Sequence, residues 1–265
     1  MWNALFPNWK DYRVFYLAPE GKVFLEKLFE TPFSLNLKKK CASHLFFTLT
    51  FFDEESPSLC VKLYMKRFFK KNRPKAYIKN YRYLEKLKVP HLTSLFIFYQ
   101  SPFKSMFSRN TFLGGIVTPF ISQGFLNEEN FIEDFSANKE LLQELVYFLY
   151  TLHEKGIFLG DTKFTNFYYK KEEGFKIFDL DGLSFYKRKL NPKERLKDLA
   201  PLAMTLEWIG LPQVDYFLFK TYQSFYSTLE KDLFSYFKDL INYKRQKRLK
   251  KLRLIPYKED NTFSP

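Results

Sequence analysis

The chain has 265 residues, 46% of them hydrophobic and 20% aromatic, enough to bury a sizeable core in one large lobe or two small ones. A formal net charge of +14 implies attraction to anionic partners such as nucleic acid, anionic lipid or a phosphorylated substrate, without choosing among them. The longest apolar run, residues 45–52, is interrupted by Thr48 and Thr50, too short to span a bilayer, and the first residues lack the basic-then-apolar pattern of a signal peptide. Cys41 and Cys60 lack metal-type spacing, so a reducing compartment is expected. The expectation is a cytoplasmic protein, or one attached to a membrane only at its surface. The 33 Phe and 18 Tyr read as core packing rather than as base-stacking platforms.

In chain order, residues 12–17, 22–29, 44–52 and 58–65 are aromatic and β-branched and predict strands, with turn signals at 19–21 and 53–57. Residues 73–90 predict a helix closed by Pro90. Residues 94–100 and 114–121 predict strands again. Leu141, Leu145, Phe148, Leu149 and Leu152 then share one helical face, and Gly156 ends that helix. Asn191, Pro192 and Glu194 form a helix start with an N-cap, Pro at the first position and an acid at the third. Residues 192–209 and about 213–253 read as helical. The fold class is α+β in two lobes, a β-rich part over residues 1–120 and a mostly helical part over residues 121–265.

The chemistry concentrates in G-D-T-K-F-T-N, residues 160–166, and in F-K-I-F-D-L-D-G, residues 175–182. Asp161, Lys163 and Asn166 form D-x-K-x-x-N, and Asp179 follows at the end of an apolar strand. An Asx-rich turn and a hairpin end would account for either motif alone. Their order, after a helix and across a hairpin, is what phosphoryl transfer from a nucleotide needs: one carboxylate beside the accepting hydroxyl, and an Asn and an Asp holding metal on the phosphates. Asp161 is therefore the expected base or hydroxyl-orienting group, and Lys163 neutralises the moving phosphoryl group. Asn166 and Asp179 are the expected Mg²⁺ ligands, with Asp181 a second carboxylate contact. Lys62, the sole charge in the apolar strand L-C-V-K-L-Y, is the expected lysine for the ATP phosphates, against the alternative of a solvent-facing edge lysine. No Gly-rich loop covers the phosphates. The expected turn at residues 37–44 is basic, and reads equally as a phosphate contact or a solvated charge run.

The series L-H-E-K-G-I-F-L-G-D, then F-D-L-D-G, then R-L-K-D-L-A resembles the lipopolysaccharide core kinases, which phosphorylate Kdo or heptose sugars. The resemblance is strongest over residues 148–202, fainter over 58–90, and absent from 1–40 and 210–265. It implies a protein-kinase-like fold, ATP and Mg²⁺, and a lipopolysaccharide core glycolipid as acceptor at the inner face of the inner membrane. It also implies that Asp161 is the catalytic Asp, Asn166 and Asp179 metal ligands, Lys62 the nucleotide lysine, and Asp198 a structural acid bracing the catalytic loop. Three positions depart from the family pattern: Leu159 for a His, Thr162 for an apolar residue, and Asn80 for the helix Glu that pairs with the lysine.

Eight residues separate Gly182 from Asn191, too few for a regulated activation loop, which favours a small or glycan acceptor. Seven Lys/Arg in residues 244–253, interspersed with Leu249 and Leu252, suit an anionic membrane surface or a phosphorylated glycolipid, against the alternative of a solvated helix face. No nucleic-acid-binding module is recognisable, so nucleic acid ranks below these. The expected function is a kinase of a lipopolysaccharide-core sugar hydroxyl. The alternatives are an atypical protein kinase or other small-molecule kinase, and a kinase-like binding module without turnover.

Overall fold

The computed structural model describes residues 2–6, 8–41, 43–65, 72–100, 112–126, 138–211 and 213–252. It forms two compact units, Met1–Gln123 and Gly124–Pro265. The first is built on a sheet and the second mainly on helices, so the architecture is α+β.

In the first unit, strands β1 (Tyr12–Tyr16), β2 (Phe33–Cys41), β3 (His44–Phe51), β4 (Leu59–Met65), β5 (Phe96–Gln100) and β6 (Phe112–Pro119) form one antiparallel sheet in the order β1-β5-β6-β4-β3-β2. Helices α1 (Trp2–Leu5) and α2 (Gly21–Glu30) supply Trp2, Leu25 and Leu28 to a core shared with Phe33, Phe51, Leu59, Val61, Leu63, Phe96 and Phe98. Strand alternation sends the other residues of each strand to the opposite face. There Lys62 stands across from Ile116, itself across from Ile97. Helix α3 (Arg73–Lys86) packs on β5 and β6 on that same face, where Tyr99 meets it. Asn72 caps α3, its side-chain oxygen accepting from the Lys75 backbone N–H at 3.0 Å.

Two expectations in this unit are corrected. Residues 22–29 are helical, not a strand. Gly21, Leu25 and Leu28 are buried at the i, i+4, i+7 spacing of one helix face, while Val23 is exposed and Lys22 reaches Glu26 one turn on. The basic run at 37–40 is strand β2 and not a turn. Leu37 pairs with Phe47 and Lys39 with Phe46, so a bulge falls at Lys38, and the hairpin reverses between Cys41 and His44.

Among the described residues, the first helix of the second unit is α4 (Lys139–Glu154), followed by the short strand β7 (Ile157–Phe158), the hairpin β8 (Phe167–Lys170) and β9 (Gly174–Ile177), and β10 (Ser184–Phe185) paired antiparallel to β7. Helices α5 (Pro192–Trp208), α6 (Val214–Phe225) and α7 (Leu233–Leu252) complete it. Asn191 and Glu194 close a reciprocal capping box at the start of α5, as their spacing predicts. The helical stretch expected over about 213–253 is broken after Phe225. Leu229 turns inward to full burial, and its carbonyl accepts from the Gln223 side chain at 2.6 Å. No Gly or Pro marks this break, so apolar periodicity alone ran through it.

Among the described residues no helix is long and apolar enough to cross a membrane.

Candidate active site

The loop carrying Asp161 starts where α4 stops. Gly156 adopts φ +72°, and a Cβ there would lie 2.4 Å from the Arg188 carbonyl, so only glycine fits this reversal. Two residues of β7 follow, and Gly160 at φ +80° turns the chain outward into Asp161. The β7–β10 pairing sets this loop beside the D-L-D-G turn: Phe158 lies across from Ser184, and a Cβ on Gly182 would touch the Leu159 carbonyl at 3.7 Å.

A buried acid holds the loop from behind. Asp198, on α5 and without solvent exposure, accepts the Leu159 N–H at 2.7 Å and the Gly160 N–H at 2.6 Å. The Thr162 hydroxyl donates to the Asp198 carbonyl. His153 Nε2 lies 3.2 Å from the Asp198 carboxylate and His153 Nδ1 lies 2.6 Å from the Tyr222 hydroxyl. The resemblance assigns Asp198 this bracing role, and the geometry matches it. The departures at 159 and 162 also acquire a physical reading. Leu159 is buried and contributes through its backbone, and Thr162 adds a hydrogen bond that an apolar residue could not make.

Beside Asp198 the sequence reading missed a second buried ion. Arg195 is 1% exposed. Its Nε donates to the Leu190 carbonyl at 2.6 Å, one terminal nitrogen meets Glu154 at 2.6 Å and the other meets the Tyr222 hydroxyl at 3.2 Å. Burial alone would raise the Glu154 carboxyl, but hydrogen bonds from Lys189 and Arg195 outweigh it and hold Glu154 below the usual carboxylate range. Only the R-x-x-D spacing, which places Arg195 and Asp198 on one helix face, signalled this pair.

The expected reacting residues gather on the open side of the loop. Asp161 is 61% exposed and Lys163 Nζ lies 2.9 Å from its carboxylate. Asn166 sits in a single 3₁₀ turn and ties the two motifs together. Its side-chain N–H donates to the Asp161 carbonyl at 2.7 Å, and its own carbonyl accepts the Phe178 N–H at 2.8 Å. Asp179, next in the chain, takes a left-handed conformation at φ +63°, ψ +70°, which turns the strand end into the 3₁₀ turn bearing Asp181. An Asp tolerates that region better than most residues, and strain of this kind gathers at functional sites.

This donor set suits Mg²⁺. The Asn166 amide nitrogen is committed to Asp161, which leaves its oxygen as the atom available to a cation. Mg²⁺ is commonly held by one or two carboxylates together with substrate phosphates, so a full protein cage is not required. No group of three His, Cys, Asp or Glu side chains able to hold a metal occurs among the described residues.

The remaining expectations fall elsewhere. Lys62 is half-buried in β4 of the first unit, 5.3 Å from the Tyr64 ring centroid. Asn80 is buried in α3, and Glu85, the acid that α3 does offer, pairs with His91 at 3.3 Å. Of the basic run, Arg245 is committed to Glu207 and Arg248 lies over the Trp208 ring at 5.4 Å, so part of it anchors α7 on α5. Lys244 is half-buried; burial pushes its ammonium down against the attraction of Asp198 and Asp161. Arg253 lies outside the described residues.

No protein-family model and no curated protein matches the chain. Among solved structures, it is similar to a Toxoplasma gondii specific rhoptry antigen kinase domain at 11% identity and a TM-score of 0.45, over 72% of this chain and 74% of that one. It is also similar to the bifunctional kinase-methyltransferase WbdD at 13% identity and a TM-score of 0.42, over 77% of this chain and 43% of that one. At these values neither structure carries an argument about activity or substrate.

Proposed function

We propose that this chain is a protein-kinase-like phosphotransferase that uses Mg²⁺ and ATP and phosphorylates a sugar hydroxyl of a lipopolysaccharide core glycolipid. The observation that carries the reading is Asn166, whose hydrogen bonds to Asp161 and Phe178 couple the candidate base to the candidate metal ligand. Asp161 orients the acceptor hydroxyl and takes its proton as the hydroxyl oxygen bonds the γ-phosphorus and the bond from that phosphorus to the bridging oxygen breaks, releasing ADP. Lys163, paired with that carboxylate, balances charge on the transferring group. Asn166, Asp179 and Asp181 would hold the cation, which when bound would neutralise charge on the phosphate oxygens. Lys62 binds the nucleotide phosphates.

The acceptor class rests on the short segment between the D-L-D-G turn and α5. Leu183 and Leu190 are buried at its ends and β10 occupies its start, which favours a small or glycan acceptor over a regulated protein kinase. Peripheral binding at the inner face of the inner membrane goes with a glycolipid acceptor.

The test is transfer of labelled γ-phosphate from Mg-ATP to dephosphorylated lipid A–core glycolipid. Asp161→Asn is expected to lower the rate by about 10²–10⁴-fold, the usual contribution of a positioned acid or base, and, being exposed, to leave stability unchanged. Turnover by the variant near the parent level sinks the assignment of the base.

A second reading has its own support. Asn80 occupies the buried helix position where the pairing acid is expected, and the β2–β3 hairpin lacks the glycines of a phosphate-covering loop. These features favour a kinase-like module that binds nucleotide without turnover. Label on neither glycolipid nor protein, with nucleotide still bound, selects it; label on the protein alone selects an atypical protein kinase.

A further inference from the structure

The first unit carries a groove that the phosphotransfer reading does not use. It lies between α3 and the edge of the sheet at β1 and β5, with a volume of about 650 Å³, within the range of small-ligand sites. Its floor is apolar, formed by Phe15, Ala76, Ile78 and Tyr99. Along its rim run Lys75, Lys79, Arg82 and Lys86, at the i, i+4, i+7, i+11 spacing of one helix face. Successive cations therefore stand about 4.5–6 Å apart along the axis. All four are exposed, and among the described residues none has an acidic partner. Asn72, also in the lining, has a buried side-chain nitrogen that donates to nothing among the described residues, while its oxygen is spent on the helix cap. Buried donors are rarely left in this state, and a ligand oxygen in the groove would satisfy it.

The chemistry of the occupant follows from these groups. Four cations without an acidic partner among the described residues, and a spare amide donor, call for phosphate oxygens. The apolar floor calls for a body with C–H faces. The aromatic rings are already engaged: Phe15 and Tyr99 lie flat on one another at 5.6 Å and 9°, and Lys79 sits over Tyr83 at 5.8 Å. That favours a sugar ring over stacked nucleobases. We propose that this groove is a second anion site that binds a saccharide carrying two or more phosphates. The proposal stands on the groove alone and does not depend on the chemistry at Asp161.

The test is calorimetric titration of glucose 1,6-bisphosphate into the full chain and into Lys79→Glu/Arg82→Glu, whose altered side chains are exposed and compatible with folding. Saturable one-site binding is expected in the parent, weakened about tenfold or more in the double variant, as the loss of charge-assisted contacts requires. Asp161→Asn is expected to bind as the parent does, so that failure of the phosphotransfer reading and failure of this one are separable. Absence of binding overturns the proposal, as does binding that survives charge reversal. Equal binding of inorganic pyrophosphate overturns the saccharide, and tighter binding of a single-stranded oligothymidylate would reassign the groove to nucleic acid.

Discussion

The two units are stabilised by different means. The core of the first is a mesh of rings: Trp2 meets Phe6 at 4.8 Å, Phe6 meets Phe98 at 5.0 Å, and Trp9 meets Phe98 at 4.9 Å. The second also buries apolar residues, but at its centre sit Arg195, Asp198, His153 and Thr162, joined by directional hydrogen bonds. Apolar packing is non-directional and tolerates replacement by another group of similar volume. A buried polar group does not, because removing one partner strands the others without water. The second unit therefore holds its loop in one geometry, and the first holds a sheet whose residues can exchange.

The largest effect expected from this contrast is at Asp198. Asp198→Ala leaves the Leu159 and Gly160 N–H groups and His153 Nε2 without their partner, and should cost about 1–3 kcal/mol for each buried group left unsatisfied. Chemical denaturation gives the stability, and the proposed transfer activity should fall with it because the loop loses its brace. Full stability in Asp198→Ala would mean the network is dispensable. Phe98→Leu in the first unit, a change of similar character and slightly smaller volume, should cost less, up to about 1.5 kcal/mol. A larger loss there than at Asp198 would erase the distinction between the units.

The same contrast explains what was legible in the sequence. Asn166 in D-x-K-x-x-N and Asp198 in R-x-x-D belong to short polar patterns, and the hydrogen bonds they make account for their residue types, so both could be singled out before any coordinates. The Asn191 cap was legible for the same reason. Apolar segments carry less information. K-V-F-L-E-K-L-F satisfies a strand's composition and a helix's spacing at once, and the helix is decided by burial of Leu25 and Leu28 against the sheet. The α6–α7 break hinges on Leu229 turning inward, which no local residue announces. Arg195 stayed hidden because its partners, Glu154 and Tyr222, lie 41 and 27 residues away in sequence.

Acid should act on the second unit through Glu154. Its carboxyl is held below the ordinary value of 4.5, so its pairing with Arg195 and Lys189 contributes stability above that pH. The contribution is lost as pH falls through the lower folded value. The melting temperature should therefore decline more steeply below about pH 4.5 in the parent than in Glu154→Gln, which has no carboxylate to protonate there. Parallel profiles for the two would remove Glu154 from the network's acid response.

The smallest effect expected is at the start of α5. Asn191→Ala removes the side-chain acceptor for the Glu194 N–H, leaving that donor to water at an exposed site, and should cost about 1 kcal/mol. The change also tests whether α5 acts as a rigid carrier. Asn191 is four residues from Arg195 and seven from Asp198 on the same helix, so fraying of the first turn reaches the buried ions only if it propagates. If α5 is pinned by Arg195 and Asp198, the loss should stay near the cap value, with phosphotransfer unchanged. A loss approaching that of Asp198→Ala, with activity falling in step, would show that the capping box and the buried network are one cooperative element, and the polar centre of the second unit would then extend to its surface.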